Sequence, residues 1–99
     1  MSDNFLDVEI VSPVKIVWEG QAKFVTAPGI LGEFQILYNH APFISIISTG
    51  KINIMTSDNQ ELNYTISGGL LEVKNNSVSI LVESIVVSEK DDVKNLSNL

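Results

Sequence analysis

Residues 51–66 read KINIMTSDNQELNYTI. Apolar and polar residues alternate on both sides of the polar segment Ser57-Asp58-Asn59-Gln60, and this period of two is typical of half-buried β-strands. A polar segment of four residues between two such runs has the length and composition of a hairpin loop. The stretch therefore predicts two antiparallel strands joined by a tight turn.

The alternation extends from this hairpin in both directions. Leu6-Asp7-Val8-Glu9-Ile10 places its apolar residues on one face and its carboxylates on the other. Asn75-Asn76 separates two further runs, and Asn tolerates the positive φ that a two-residue hairpin turn requires. We predict ten strands, near residues 5–11, 14–19, 22–27, 33–37, 43–47, 50–56, 61–66, 69–74, 78–83 and 84–87.

Many short alternating strands with frequent turns predict an all-β fold, here a ten-stranded β-sandwich or flattened barrel. The doublet Gly68-Gly69 lies between two strands and indicates a bulge, a sharp bend or the close approach of another backbone. The alternation ends near Ser88, which is followed by acidic residues in the manner of a helix N-cap. We expect a β-sandwich domain over residues 1–87 and a short C-terminal tail over residues 88–99 that can form a helix.

Composition limits the functions that the chain can have. Its 99 residues suit one domain, and the absence of cysteine excludes disulfides and thiolate metal sites. The 6 basic residues, all lysine, oppose 12 acidic ones, which gives a net charge of −6. Such a surface repels phosphate backbones and anionic lipid, so we expect no nucleic-acid partner and no lipid insertion. With no apolar run of about 18 residues and an acidic N-terminus that lacks the apolar segment of a signal peptide, we expect a cytoplasmic chain. We also expect the isolated chain to be a monomer.

The residues that could carry chemistry do not assemble a catalytic pattern. His40 is the only histidine, and a general base would need a nucleophile or metal beside it. Asp58-Asn59-Gln60-Glu61 lacks the alternate acids and central glycine of a calcium loop. Trp18 has two interpretations, a core aromatic or an anchor at a binding interface. We therefore expect no catalytic residue, no metal and no cofactor.

Several segments, in order, resemble the epsilon subunit family of bacterial F-type ATP synthase. They are residues 6–13 (LDVEIVSP) with 17–20 (VWEG), residues 32–42 (GEFQILYNHAP), and residues 50–54 (GKINI) with 66–73 (ISGGLLEV). The resemblance covers residues 5 to about 88. It implies a ten-stranded β-sandwich, in agreement with the strand pattern.

The resemblance also implies a function. Members of the family are non-catalytic rotor subunits at the foot of the central stalk, where they bind the gamma subunit and rest on the membrane c-ring. They couple ion-driven rotation to ATP synthesis at the cytoplasmic face of the bacterial inner membrane. Many continue into two C-terminal helices, whereas this chain ends at Leu99, so we expect a form without that helical hairpin.

The resemblance assigns interface roles to six residues. Glu33 matches an acidic position in a loop that lies toward the c-ring. His40 and Pro42 match a loop next to gamma, and Ser12, Ser45 and Lys51 match positions on the gamma-facing side.

Two other interpretations of the function rest on the residues alone. The first is an unrelated β-sandwich that serves as a binding or adaptor module, such as a carbohydrate-binding domain. Such domains present aromatic platforms, and this chain has 7% aromatic residues with a single tryptophan. The second is an enzyme, which the missing catalytic pattern disfavours.

Overall fold

The computed structural model describes residues 4–90, with side chains described up to residue 86. Over this range the secondary structure consists of strands and turns, and no helix is long or apolar enough to cross a membrane. The strands are β1 (Leu6–Val11), β2 (Ile16–Gly29), β3 (Gly32–Leu37), β4 (Phe43–Ile47), β5 (Gly50–Thr56), β6 (Glu61–Ile66), β7 (Gly69–Lys74), β8 (Ser77–Val82) and β9 (Ile85–Lys90).

The all-β sandwich predicted from the sequence is confirmed, with one difference in the strand count. The predicted strands 14–19 and 22–27 are two parts of the continuous strand β2, so residues 4–90 contain nine strands. Gly20 does not interrupt the strand, since it pairs with Val8 of β1, and the indole of Trp18 covers it. A Cβ atom on Gly20 would lie 2.7 Å from Cζ2 of Trp18.

Strand β2 passes through both layers of the sandwich. Its first half pairs with β1, and its second half pairs with β3 and β5; Ala22 pairs with both Leu6 of β1 and Thr56 of β5. The first sheet has the order β2-β1-β8-β7-β4, and the second has the order β3-β2-β5-β6-β9. All neighbours are antiparallel except β1 and β8, which are parallel.

The core fills the space between the two sheets. Most strands contribute alternate residues, such as Leu6, Val8 and Ile10 from β1, and most core side chains are Ile, Val or Leu. Trp18 packs against this core at its edge, as do Phe34 and Phe43, whose ring centroids are 5.3 Å apart. Trp18 is therefore an aromatic of the core periphery, which agrees with the first of its two interpretations.

Both predicted hairpin turns are confirmed. Asn75 and Asn76 have φ angles of 51° and 62°, as a two-residue hairpin turn requires. In the loop after β5, the buried hydroxyl of Thr56 donates to Oδ1 of Asp58 over 2.5 Å and accepts from the Gln60 backbone N–H over 2.8 Å. Tyr64 lies opposite Ile52 in the same hairpin, and burial raises the pKa of its phenol.

The C-terminal end of the sandwich lies further along the chain than predicted. Strand β9 continues to Lys90, three residues beyond the expected end at Val87, because its ladder with β6 continues through the pair Tyr64 and Ser88. Ser88 is therefore a strand residue and not a helix N-cap. The remainder of the expected tail, residues 91–99, lies outside the described residues.

The glycine doublet combines two different constraints. Gly68 has a φ of +141°, which residues with side chains rarely adopt, but a Cβ atom there would have space, with its nearest contact at 3.6 Å. A Cβ atom on Gly69 would lie 2.1 Å from the carbonyl oxygen of Leu81. The backbone of β8 therefore approaches β7 at Gly69 as closely as glycine alone allows.

We expect Gly69→Ala to be much more destabilising than Gly68→Ala. The first substitution forces β7 and β8 apart and should cost about 4 kcal/mol or more, while the second adds backbone strain of about 1–3 kcal/mol. Urea unfolding monitored by circular dichroism measures both. Equal losses of unfolding free energy would contradict the steric account.

Candidate docking surface

An apolar row crosses the outer face of the first sheet. The strand registers place Ile46 opposite Leu70, Leu70 opposite Leu81, Leu81 opposite Val11, and Val11 opposite Ile16. These five residues come from five adjacent strands, and we call them the apolar stripe. At a strand spacing of about 4.8 Å, the row is about 19 Å long.

The apolar stripe is accessible to solvent. Ile46 is 60% exposed, Ile16 54% and Leu81 49%, and Ile44, which projects from β4 beside the stripe, is 65% exposed. Outward positions of a sheet that faces water are normally polar. A contiguous exposed apolar patch of this kind marks an interaction surface.

A second row on the same face is acidic. The next outward position along each strand from the stripe is occupied by Ile44, Glu72, Ser79, Glu9 and Glu19. Four of these are two residues from the stripe, and Glu19 is three residues from Ile16 because the register of β2 shifts there. We call the three glutamates of this set the acidic row. It runs parallel to the stripe at a separation of about 7 Å.

The outer face of the second sheet is different in character. Its central row consists of Gln35, Thr26, Asn53 and Asn63, one from each of four adjacent strands. Nδ2 of Asn53 donates to Oδ1 of Asn63 over 2.6 Å, and Nε2 of Gln35 donates to Oγ1 of Thr26 over 3.5 Å. The neighbouring outward row on this face is apolar and consists of Leu37, Phe24 and Met55, of which Leu37 is 51% exposed and the other two are half-buried. The longer and more exposed apolar row is therefore the one on the first sheet.

The β2–β3 hairpin extends the apolar surface at one end. Its turn residues Ile30 and Leu31 are 67% and 101% exposed. Between this hairpin and β4 lies an open groove of about 840 Å³, lined by both turn residues together with Phe34, Phe43, Ile44 and Ile46. Through Ile46, the groove is continuous with the apolar stripe.

Four of the six residues assigned from the resemblance lie near this apolar surface or at the same end of the sandwich. Glu33 is exposed at the start of β3 and lines the groove. Ser45 also lines the groove, but it is half-buried and its hydroxyl donates to the carbonyl of Ile46 over 3.1 Å. Ser12 directly follows Val11 of the stripe. Lys51 is exposed on the outer face of the second sheet, opposite the face that carries the stripe.

His40 and Pro42 lie at the other end, in the loop between β3 and β4. Nδ1 of His40 donates to the carbonyl of Ala41 over 2.7 Å, and its ring contacts that of Phe43. The loop is tied to the β7–β8 turn, because Oδ1 of Asn76 accepts from the Asn39 backbone N–H over 2.6 Å. The six residues therefore do not form one cluster.

The sequence-based assignment missed the apolar stripe and the acidic row. Four stripe residues follow or precede a core residue, which creates apolar doublets in strands that otherwise alternate. These doublets are Ile10-Val11, Ile46-Ile47, Leu70-Leu71 and Ile80-Leu81. Each doublet places one apolar residue outward, and that departure from alternation is the signal that could have located the stripe.

The titratable residues are spread over the surface. Within residues 4–90, no group of three or more His, Asp or Glu side chains could hold a metal ion. His40 contacts backbone and an aromatic ring, with no nucleophile among its contacts. A sandwich that exposes an apolar row across five strands of one outer face belongs to a class of proteins that act by binding other macromolecules.

Comparison with known proteins identifies the family. Residues 5–88 match the family described as ATP synthase, delta/epsilon chain, beta-sandwich domain. The ATP synthase epsilon chain of Chlorobaculum tepidum is 37% identical over 84 residues, which are 85% of this chain and 96% of that one. The chain therefore belongs to the ATP synthase delta/epsilon chain family, whose members are non-catalytic subunits of that enzyme.

Other relatives are longer than this chain. The ATP synthase epsilon chain of Bordetella petrii is 41% identical over 81 residues, which are 82% of this chain but 57% of that one. A solved structure of the mitochondrial ATP synthase of Euglena gracilis contains a chain that matches with a TM-score of 0.78 at 16% identity. The match covers 99% of this chain and 62% of that one, and it concerns the fold.

We expect Asn76→Gly to loosen the His40 loop without disrupting the β7–β8 turn. Glycine keeps the positive φ but removes the side-chain hydrogen bonds to Asn39, so the loss of unfolding free energy should be about 1–2 kcal/mol. Asn75→Gly is the matched control, since no described hydrogen bond uses the Asn75 side chain. Chemical unfolding measures both, and equal stabilities would contradict a role for Asn76 as the link.

Proposed function

We propose that this chain is a rotor subunit of an F-type ATP synthase that binds the gamma subunit through the outer face of its first sheet. The observation that carries the proposal is the apolar stripe. Its side chains are exposed in the isolated chain, and burying them against a partner stabilises a complex by about 25 cal/mol per Å² of apolar surface. Family membership supplies the identity of the partner, because epsilon chains act within the ATP synthase.

The second proposed contact is with the c-ring. The β2–β3 hairpin projects Ile30 and Leu31 at the same end of the sandwich as the apolar stripe, and Glu33 lies directly after this turn. A single subunit can therefore contact gamma along its first sheet and the c-ring at this end. The Euglena gracilis structure is one of OSCP, F1 and the c-ring, which agrees with such a position.

The fold suits the transmission of torque between these two partners. Both sheets share β2, and the core between them consists mainly of β-branched side chains that pack at the density of an organic crystal. A load applied at the hairpin is passed to the first sheet through a covalently continuous strand. In this proposal the subunit is a peripheral part of the F1 sector, at the cytoplasmic face of a bacterial inner membrane.

We expect Leu81→Ser to weaken binding to an F1 complex from which the epsilon chain has been removed, with a dissociation constant raised about tenfold or more. The side chain is half exposed in the isolated chain, so unfolding free energy should change by little more than about 0.5 kcal/mol. Biolayer interferometry with immobilised F1 measures the affinity.

The matched control for Leu81→Ser is Leu37→Ser. Leu37 is 51% exposed, nearly the same as Leu81, but it lies on the outer face of the second sheet. We expect this variant to bind F1 like the parent chain. If both variants bound equally well, or if the control alone lost binding, the first sheet would not be the gamma-binding face.

We expect Glu33→Lys to reduce coupling more than it reduces folding stability. The residue is exposed, so the substitution should cost within about 0.5 kcal/mol of unfolding free energy, whereas a reversed charge at an interface alters association. ATP-driven proton pumping in reconstituted membranes measures coupling. The control is Gln60→Lys, which places a cation in the distant β5–β6 loop at an exposed residue whose described hydrogen bonds use its backbone only. A collapse in thermal stability with normal pumping by the folded fraction would make Glu33 a structural residue.

A further inference from the structure

The outer face of the first sheet carries acidic side chains that the packing of the core does not need. Glu9 and Glu19 are directly opposite each other in the β1–β2 ladder, and Glu72 lies in the same row beyond Ser79. Like charges at directly opposed positions destabilise an antiparallel pair. All three side chains point away from the core, so none of them contributes to its packing.

The charge is also unevenly distributed between the faces. The outward positions of the first sheet carry the three glutamates and Asp7 against the single lysine Lys74. On the strands of the second sheet with described side chains, Lys23 and Lys51 balance Glu33 and Glu61. The excess of negative charge therefore lies on the face that also carries the apolar stripe.

The acidic row lies on one side of the stripe only. On the opposite side, the pocket between the β1–β2 turn and the β8–β9 turn has one acid, Glu83, and one base, Lys15. At a rise of about 3.3 Å per residue, the row is about 7 Å from the stripe, within reach of a long cationic side chain on anything that covers the stripe. The face is thus apolar in the middle, acidic along one side and balanced along the other.

We propose that this face selects a partner surface that presents an apolar ridge flanked on one side by lysine or arginine residues, which pair with Glu9, Glu19 and Glu72. The inference rests on the proposed function, in which that partner is the gamma subunit, and adds the charge and orientation of its binding surface. The partner's cations relieve the repulsion between Glu9 and Glu19. Because the acidic row lies on only one side of the apolar stripe, it also favours one orientation of the chain on the partner's ridge over the reversed orientation.

The test is the double substitution Glu9→Gln with Glu19→Gln, with Asp58→Asn and Glu61→Gln as the matched control. The control removes the same charge from the β5–β6 hairpin, and the amides keep the acceptor oxygens that Thr56 and Asn53 use. Binding to epsilon-depleted F1 is measured at about 0.05 M and about 0.5 M NaCl, because salt screens exposed charge pairs. We expect the test variant to bind roughly three- to tenfold more weakly at low salt, and to lose most of the salt dependence.

Stability separates this effect from damage to the fold. The test variant should unfold at the same or a higher urea concentration than the parent chain, since it removes a repulsive pair. Parental affinity and parental salt dependence in the test variant would overturn the inference, as would an equal loss in the control. If Leu81→Ser lost binding while the glutamine variant kept it, the proposed function would stand without this inference.

Two further outcomes test whether the gamma subunit is the partner. Failure of the parent chain to bind F1 at either salt concentration would overturn the proposed function, and this inference with it. A stable dimer of the isolated chain that the Leu81→Ser substitution dissociates would assign the face to a second copy and would also overturn the inference.

Discussion

Strand β2 is hydrogen-bonded to β1 along its first half and to β3 and β5 along its second half, so that both sheets depend on one continuous backbone. The crossing occurs at Ala22, which is fully buried and pairs on both sides. Register shifts on either side of this point, opposite Val11 and near Lys23, allow the strand to bend from one layer into the other. Each of the other strands belongs to the first or the second sheet according to the half of β2 to which its main pairings connect it.

The two outer faces follow from the same arrangement. Once β2 aligns β1, the parallel pairing of β1 with β8 sets the register of β7 and β4, and the outward residues of all five strands fall into rows. The apolar stripe and the acidic row are thus products of long-range register. On the second sheet, the pairing of β5 with β6 aligns Asn53 with Asn63 in the polar row in the same way. A sandwich with chemically distinct faces can hold one partner on one side while it remains solvated on the other.

Local pattern was sufficient for the strands and turns, and insufficient for the surface. Alternation located β5, β6 and β8, and the tolerance of Asn for positive φ located the turn at Asn75 and Asn76, because each of these depends on neighbouring residues only. The pairing of β1 with β8 joins residues about 70 positions apart, and nothing local encodes it. The continuity of β2 between the predicted strands 14–19 and 22–27 is also not encoded locally, because it depends on the pairing of Gly20 with Val8 of β1. The residues assigned from the family resemblance lie at both ends of the sandwich. The outer face between these ends could not be assigned in the same way, because its rows are set by the strand register.

The central claim is that the first sheet, and not the second, is covered when the subunit assembles. The chain contains no cysteine, so single substitutions provide unambiguous labels. The most direct measurement is the rate of maleimide labelling of Leu81→Cys and Leu37→Cys, which replace side chains of nearly equal exposure on opposite faces, in the free chain and after assembly into F1. We expect assembly to protect the cysteine at position 81 and to leave the one at position 37 reactive. Protection of position 37 with continued labelling at position 81 would contradict it.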